Sequence, residues 1–102
     1  RASMITGKYV TKTGLQDGAL LPGESRHLPR SFKTIGQYFK EADYSTYFLG
    51  KWHLGLEYTD LLPNARGYDY FYGSIGGVIN HYTKEIGLAC GEPGDKFSNI
   101  YG

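Results

Sequence analysis

The chain has 102 residues, with 11 basic and 10 acidic side chains and a formal net charge of +1. This length allows at most one small domain, and this charge provides no global field to recruit nucleic acid or an anionic membrane. No apolar run approaches the roughly 20 residues of a membrane span. The single cysteine, Cys90, has no internal partner, so its pairing state stays open.

The first part of the chain reads as a helix end followed by a long loop. Residues 2–6 predict the end of a helix, with Gly7 at the left-handed cap position. Residues 11–30 contain several glycines and prolines and predict an irregular connection, which at this length is often functional. Arg1 is not preceded by methionine, and we expect the chain to be a segment of a longer protein.

The strongest helix signal covers residues 31–42. Ser31 is the predicted N-cap, and Asp43 stands where the helix should end in a left-handed residue. Gly36 weakens the helix by roughly 1 kcal/mol relative to alanine. Apolar residues at helical spacing predict one buried stripe, formed by Phe32, Ile35, Phe39 and Ala42.

A buried strand is predicted directly after this helix, at residues 45–50. Residues 54–67 are predicted as loop, and residues 68–72 as a short strand or an aromatic plug closed by Gly73. Residues 78–86 fit either a strand or a helix, and the glycine-rich stretch 87–102 predicts irregular structure. A helix, a tight turn and a buried strand together indicate an α/β fold.

Residues 50–55, Gly-Lys-Trp-His-Leu-Gly, are the most informative segment. If the strand stays extended through residue 53, Lys51 and His53 point to one face and Trp52 to the other. An ammonium beside a titratable ring at the end of a buried strand suits an oxyanion site. The alternative is a surface strand end with two polar residues facing water.

Four segments, in this order and at these separations, resemble type I sulfatases, most closely arylsulfatases of the arylsulfatase B kind. The similarity is strong from Arg1 to about Gly73 and weaker afterwards. The segments are Arg1–Tyr9 with residues 13–16 after it, Phe39–Thr46, Gly50–Gly55 and Arg66–Gly73. The first resembles the continuation of the signature Cys-x-Pro-Ser-Arg, with Arg1 as its last residue, and the third resembles the second sulfatase signature. Asp43 stands where the family usually has glycine.

The resemblance implies a mixed-sheet α/β fold of the alkaline phosphatase superfamily. Residues 1–102 would be part of an N-terminal catalytic domain, truncated at both ends. The cysteine that becomes formylglycine would lie four residues before Arg1, and the aspartates that bind Ca²⁺ would also lie outside the chain. Cys90 is not in the signature context and is not the nucleophile.

The resemblance also implies roles for three residues. Arg1 would hold the formylglycine hydrate, Lys51 would bind a sulfate oxygen, and His53 would act as the acid or base that regenerates the aldehyde. These side chains suit their roles, because guanidinium and ammonium groups are fixed cations and imidazole titrates near neutrality. No metal ligand is expected within the chain.

The other candidate residues have structural interpretations. Trp52 is expected to pack on the side opposite Lys51, and Asp69 to pin the aromatic turn that follows it. His27 and His81 match no sulfatase motif. His81 is expected at the surface, with a place in the substrate cleft as the alternative.

The function implied is the hydrolysis of sulfuric esters, on a sulfated small molecule or glycan. Two alternatives stay open: a phosphoester or phosphonate hydrolase of the same superfamily, and a pseudo-enzyme that binds sulfated glycans without cleaving them. Sulfatases similar to this chain are lysosomal or secreted in animals and often periplasmic in bacteria. The isolated segment is expected to be inactive and unstable, because it needs the rest of the sulfatase chain to cover its apolar faces.

Overall fold

The computed structural model describes residues 1–21, 24–77, 80, 82, 100 and 101, and only the backbone of the last two. Two short 3₁₀ helices, Thr59–Leu61 and Pro63–Arg66, connect the first two strands. The helices are α1 (Ala2–Thr6), α2 (Val10–Thr13) and α3 (Ile35–Glu41), and the strands are β1 (Tyr47–Lys51), β2 (Tyr70–Ser74) and β3 (Ile100–Tyr101).

The strands form one sheet in the order β1-β2-β3. β1 and β2 run parallel, with Tyr47 opposite Tyr70 and Lys51 opposite Ser74. β2 and β3 run antiparallel. The predicted mixed sheet with flanking helices is therefore confirmed. β3 lies within the stretch 87–102, which was predicted to be irregular, so at residues 100–101 that prediction is wrong.

The two faces of the β1–β2 pair differ in burial because successive side chains in a strand point to opposite faces. Phe48 and Phe71 pack on the hydrophobic core. On the other face Tyr47 and Tyr70 stack with their ring centroids 4.9 Å apart. Four large side chains of that face are exposed, namely Tyr47, Leu49, Tyr70 and Tyr72.

The core lies between α1, the sheet and the connection that joins β1 to β2. Trp52 is among its most buried side chains, with 1% of its surface exposed. The Trp52 ring contacts Phe48 and Tyr68 edge to face, an arrangement that aromatic quadrupoles favour. The buried cluster consists of Ala2, Ile5, Leu28, Trp52, Leu54, Tyr68 and Ile75.

The predictions for the first part of the chain hold in part. Gly7 ends α1 with φ of 68°, the predicted left-handed cap, and its N–H donates to the Ser3 carbonyl. α2 overlaps the start of the stretch 11–30, which was predicted as loop, and it was missed. A helix of one turn carries too little apolar periodicity to be recognised from sequence.

The third helix begins later than predicted. Its N-cap is Thr34 rather than Ser31, and Thr34 forms a capping box with Gln37. In this motif the hydroxyl accepts from the Gln37 N–H while the Gln37 side chain accepts from the Thr34 N–H, so two free donors are satisfied. Thr34 Oγ1 also donates to the Arg66 carbonyl at 2.5 Å.

The predicted apolar stripe of this helix is not its buried face. Ile35 and Phe39 are 45% and 47% exposed, whereas Gly36 is buried. The Tyr68 ring lies directly on Gly36, where a methyl group would come within 2.7 Å of Tyr68 Cζ. The glycine that lowers helix propensity thus provides the contact surface for an aromatic ring from far along the chain.

The end of α3 and the start of β2 follow the predictions in part. Asp43 adopts φ of 61°, the left-handed conformation expected there. The Asp69 carboxylate accepts from the Thr46 N–H at 3.0 Å and forms an ion pair with Lys40, so it links the start of β2 to the residue before β1 and to α3 instead of pinning an aromatic turn. Of the alternatives for residues 68–72, the strand is confirmed, but Gly73 lies inside it. Residues 78–86 lie outside the described residues except for 80 and 82.

Candidate functional site

The backbone changes direction at His53, two residues beyond the end of β1. His53 has φ of 52°, a left-handed conformation that is uncommon for residues other than glycine. The condition that the strand stays extended through residue 53 is therefore not met. Consequently, the simple alternation that would place Lys51 and His53 on one face does not apply.

The residues on either side of His53 are both buried in the core, Trp52 at 1% and Leu54 at 3% exposure. Residues two apart share a face of an extended strand, so the burial of these two side chains does not by itself require the turn. Trp52 is also anchored by its Nε1–H, which donates to the Leu61 carbonyl at 3.0 Å. Trp52 is therefore a core residue, and its placement on the side opposite Lys51 stays a prediction.

Arg1 and His53 line one open cleft of about 320 Å³. Its other walls come from α1, α2 and the loop that contains Leu20. Arg1 Nε donates to the Lys51 carbonyl at 3.0 Å, which attaches the guanidinium to the end of β1. Arg1 and His53, which were predicted to act together, are 52 positions apart in sequence and line the same cleft.

Lys51 is connected to this cleft through its backbone. Its carbonyl accepts the hydrogen bond from Arg1, and its side chain is half-buried. The Lys51 side chain does not contribute to the walls of the cleft among the described residues. The structure therefore brings Arg1 and His53 together and places Lys51 beside them at the strand end.

The His53 ring is held in a defined orientation. Its Nε2 lies 2.8 Å from the Leu20 carbonyl oxygen. A carbonyl oxygen only accepts hydrogen bonds, so Nε2 carries the proton and the neutral ring has its lone pair on Nδ1. Within the described residues Nδ1 has no partner, and it is available as a hydrogen-bond acceptor or base.

Four acidic side chains are paired with cations. The ion pairs are Glu24–Arg26, Asp60–Arg30, Glu41–Lys33 and Asp69–Lys40. Hydrogen bonding to Arg26, Arg30 and Lys40 lowers the pKa of Glu24, Asp60 and Asp69, respectively. Among the described residues, no three His, Cys, Asp or Glu side chains are grouped to hold a metal ion. These residues do not fit a calcium site.

His27 has a structural environment. Its Nδ1 lies 2.8 Å from the Ser25 carbonyl and its Nε2 accepts from Arg30 Nη1 at 3.2 Å. Arg30 in turn holds Asp60 and lies over the Tyr58 ring. His27 therefore belongs to a polar cluster separate from the Arg1–His53 cleft. His81 lies outside the described residues.

Comparison with known proteins assigns the family. The sequence profile of the Sulfatase family matches residues 1–96. The chain belongs to the sulfatase family. This sulfatase chain is 43% identical to arylsulfatase J of Mus musculus over 94 residues, which cover 92% of the chain and 15% of the mouse protein. It is 34% identical to the uncharacterized sulfatase YidJ of Escherichia coli (strain K12), covering 86% and 17%, respectively.

Solved structures agree on the fold of this sulfatase chain. The crystal structure of Ps i-CgsB superposes with a TM-score of 0.72 at 39% identity, covering 78% of the chain and 18% of that protein. The structure of Ps i-CgsB in complex with k-i-k-neocarrahexaose gives a TM-score of 0.70 at 38% identity. The predicted recognition as a sulfatase and the α/β fold class are confirmed. The special likeness to arylsulfatase B stays a prediction.

The sulfatase chain spans 15% and 17% of the lengths of these two relatives. No helix in the described ranges is long and apolar enough to cross a membrane. Sequence reasoning missed Leu20 and Gly77 next to His53, and no motif marks either residue. Leu20 contributes a backbone carbonyl, which every residue possesses, so only the folded geometry reveals it.

Proposed function

We propose that the protein containing this chain hydrolyses sulfuric esters, and that residues 1–102 are part of its N-terminal catalytic domain. The observation that supports this proposal is the shared cleft of Arg1 and His53, with Arg1 bonded to the Lys51 carbonyl. The three residues belong to the segments that resemble the two sulfatase signatures. The family membership makes sulfate the expected anion.

The side chains of this chain fit the electrostatics of the reaction. A sulfate monoester carries one negative charge over three oxygens, and cleavage of its S–O bond builds charge on the leaving oxygen. Fixed cations and donors around the sulfate stabilise that charge, an effect worth about 10²–10³ in rate for one donor. Lys51 would provide such a cation at a sulfate oxygen, and Arg1 would hold the formylglycine hydrate. The exposed Nη groups of Arg1 are free of protein acceptors within the described residues.

His53 would move a proton during regeneration of the nucleophile. The hydrogen bond from Nε2 to Leu20 leaves Nδ1 as the basic nitrogen. A positioned imidazole contributes about 10²–10⁴ in rate as a general acid or base. Nδ1 would accept a proton from a hydroxyl bound in the cleft, and the Leu20 carbonyl would stabilise the imidazolium that forms.

The nucleophile and the metal are proposed to come from outside these residues. Formylglycine, when present as its hydrate, supplies a nucleophilic oxygen beside Ca²⁺. The described carboxylates do not fit Ca²⁺, because four of them are paired with cations and no cluster of three is present among the described residues. The roles assigned to Arg1, Lys51 and His53 therefore concern the sulfate and the attacking hydroxyl, not the metal.

The proposed substrates are sulfated small molecules or glycans. The complex of Ps i-CgsB with k-i-k-neocarrahexaose supports a sulfated glycan as the substrate. The name of the mouse relative, arylsulfatase J, supports an aryl sulfate ester. We propose a lysosomal or secreted location if the source is an animal and a periplasmic one if it is bacterial.

The test uses the full-length protein carrying its formylglycine, assayed on 4-nitrophenyl sulfate and 4-nitrophenyl phosphate. We expect sulfate cleavage to dominate. Lys51→Ala and His53→Ala should each lower kcat/KM by about 100-fold or more, since each removes an oxyanion or proton-transfer group. Lys8→Ala, which removes an exposed lysine, is the matched control and should retain wild-type activity.

Other outcomes would identify the alternatives. Preferential cleavage of the phosphate ester would indicate a phosphoester hydrolase. Binding of a sulfated glycan with no turnover, at full formylglycine occupancy, would indicate a pseudo-enzyme. Wild-type rates in both variants would remove Lys51 and His53 from the mechanism.

A further inference from the structure

The His53 ring is enclosed between a carbonyl group and a glycine. Nε2 donates to the Leu20 carbonyl at 2.8 Å. On the Gly77 side, a methyl group added at that residue would lie 2.6 Å from Nε2 and 2.7 Å from Cε1. The ring therefore lies almost in contact with the Gly77 backbone, and no larger residue fits there without displacing it.

The loop that contains Leu20 is itself held by an ion pair. Glu24 Oε2 accepts from the Leu21 N–H at 2.8 Å, directly after the carbonyl that binds His53. Arg26 bonds to Glu24 and donates from Nη1 to the Asp17 carbonyl at 2.7 Å. The pair thus attaches to the loop on both sides of Leu20.

We propose that Gly77 and the Glu24–Arg26 pair are positioning residues for His53, which fix the ring with its proton on Nε2 and its basic nitrogen on Nδ1. This inference rests on the proposed function, because it assigns the orientation of the residue proposed to move the proton. Gly77 excludes other ring positions from one side. The ion pair keeps the Leu20 carbonyl in place as the acceptor on the other side.

The substitution Gly77→Ala tests the glycine. Gly77 does not have a positive φ, so its backbone conformation suits alanine, and the three atoms nearest to an added methyl group all belong to the His53 ring. In the full-length enzyme we expect kcat on 4-nitrophenyl sulfate to fall about 10- to 100-fold, the effect of a displacement near 1 Å. KM should change little, because His53 is not assigned to sulfate binding.

Gly36→Ala is the matched control. It adds the same methyl group at a buried glycine, 2.7 Å from the Tyr68 ring instead of the His53 ring. We expect Gly36→Ala to lower stability while leaving kcat within about twofold of wild type at a temperature where both variants are folded. Equal losses of kcat in the two variants would show that Gly77 acts through general stability, which would overturn the proposal.

The ion pair is tested in the same way with Glu24→Gln. This variant weakens the link between Glu24 and Arg26, and kcat should fall several-fold with KM nearly unchanged. Glu41→Gln breaks the ion pair between Glu41 and Lys33, neither of which lines the cleft, and serves as the control. An unchanged kcat in Glu24→Gln would show that the Glu24–Arg26 pair does not position His53.

A spectroscopic readout separates this inference from the proposed function. Imidazole ¹⁵N shifts of full-length protein labelled at histidine, assigned by their loss in His53→Asn, report which nitrogen carries the proton. We expect the Nε2–H form in the neutral ring of the wild type, Gly36→Ala and Glu41→Gln, and a mixture in Gly77→Ala and Glu24→Gln. If this tautomer pattern is observed but the protein has no sulfatase activity, the proposed function is wrong and the inference about His53 stands. An Nδ1–H ring in the wild type would overturn the inference even in an active sulfatase.

Discussion

At the scale of single residues, Trp52 anchors the segment between Lys51 and His53 in the core. Its ring is buried and its Nε1–H satisfies the Leu61 carbonyl at 3.0 Å. Trp52→Phe removes that donor and leaves a buried acceptor unpaired, which costs about 1–3 kcal/mol. We therefore expect a lower free energy of unfolding for this variant in denaturant titrations of the full-length protein.

Tyr58→Phe is a suitable control because Tyr58 is exposed and its hydroxyl has no buried partner. Surface changes of this kind are usually within about 0.5 kcal/mol of wild type. If Trp52→Phe and Tyr58→Phe unfold at the same denaturant concentration, the Leu61 hydrogen bond contributes nothing measurable.

Single residues also show what the sequence could predict about the site. Gly7 and Asp43 were assigned left-handed conformations correctly, since their residue types tolerate them locally. His53 adopts the same conformation two residues beyond the end of β1. Histidine is enriched among the non-glycine residues in this region, but that local preference is too weak to predict the turn. The candidate residues were found by motif, but their arrangement depends on distant packing.

At the scale of elements, α3 shows where periodicity fails. The apolar spacing correctly predicted a helix, but its buried face is Gly36, which contacts Tyr68 from beyond β1. A glycine carries no hydrophobic signal, and the partner ring is 32 positions away in sequence. The start of the helix was also misplaced. Ser31 and Thr34 are both good N-cap residues, and the capping box between Thr34 and Gln37 makes Thr34 the cap.

The link between β1 and β2 at Asp69 predicts a pH dependence. The ion pair with Lys40 and the hydrogen bond from Thr46 lower the pKa of Asp69 from its ordinary value of 3.8. A carboxyl group with a lowered pKa stabilises the fold above its unfolded pKa, and this contribution is lost as the pH falls through the folded value. Asp69→Asn should therefore lower the melting temperature of the full-length protein at pH 7, and its difference from wild type should be smaller at pH 3, below the ordinary value of 3.8.

Asp43→Asn is the control for this experiment. Asparagine tolerates the left-handed conformation at this position, and Asp43 has no ion pair among the described residues. Its melting temperature should track the wild type at both pH values. If the difference in melting temperature between Asp69→Asn and wild type is the same at pH 7 and at pH 3, the charge of Asp69 is not what stabilises the link between β1 and β2.

At the scale of the whole molecule, one face of the sheet is uncovered. Tyr47, Leu49, Tyr70 and Tyr72 are between 62% and 78% exposed. Burying a large apolar side chain stabilises a protein by about 1.5–3 kcal/mol, so covering four adds up to roughly 6–12 kcal/mol. That sum is comparable to the whole stability of a typical domain, about 5–15 kcal/mol.

We therefore expect the isolated 102-residue chain to lack a cooperative thermal transition by circular dichroism, whereas the full-length protein melts cooperatively. The isolated chain should also be inactive on 4-nitrophenyl sulfate. A sharp, reversible melt of the isolated chain would contradict this expectation, because it would mean that the described core suffices without a second layer on the sheet.

Leu49→Lys distinguishes a covered face from an exposed one. Leu49 is 78% exposed in this chain, so the charge would meet solvent here and have little effect. In the full-length protein we expect other elements of the sulfatase domain to cover this face, and a buried lysine without a partner would cost several kcal/mol. The variant should therefore lower the melting temperature of the full-length protein strongly, while Tyr82→Lys, at a position 96% exposed, should not. Equal melting temperatures for the two variants would mean that this face of the sheet stays in contact with water in the intact enzyme.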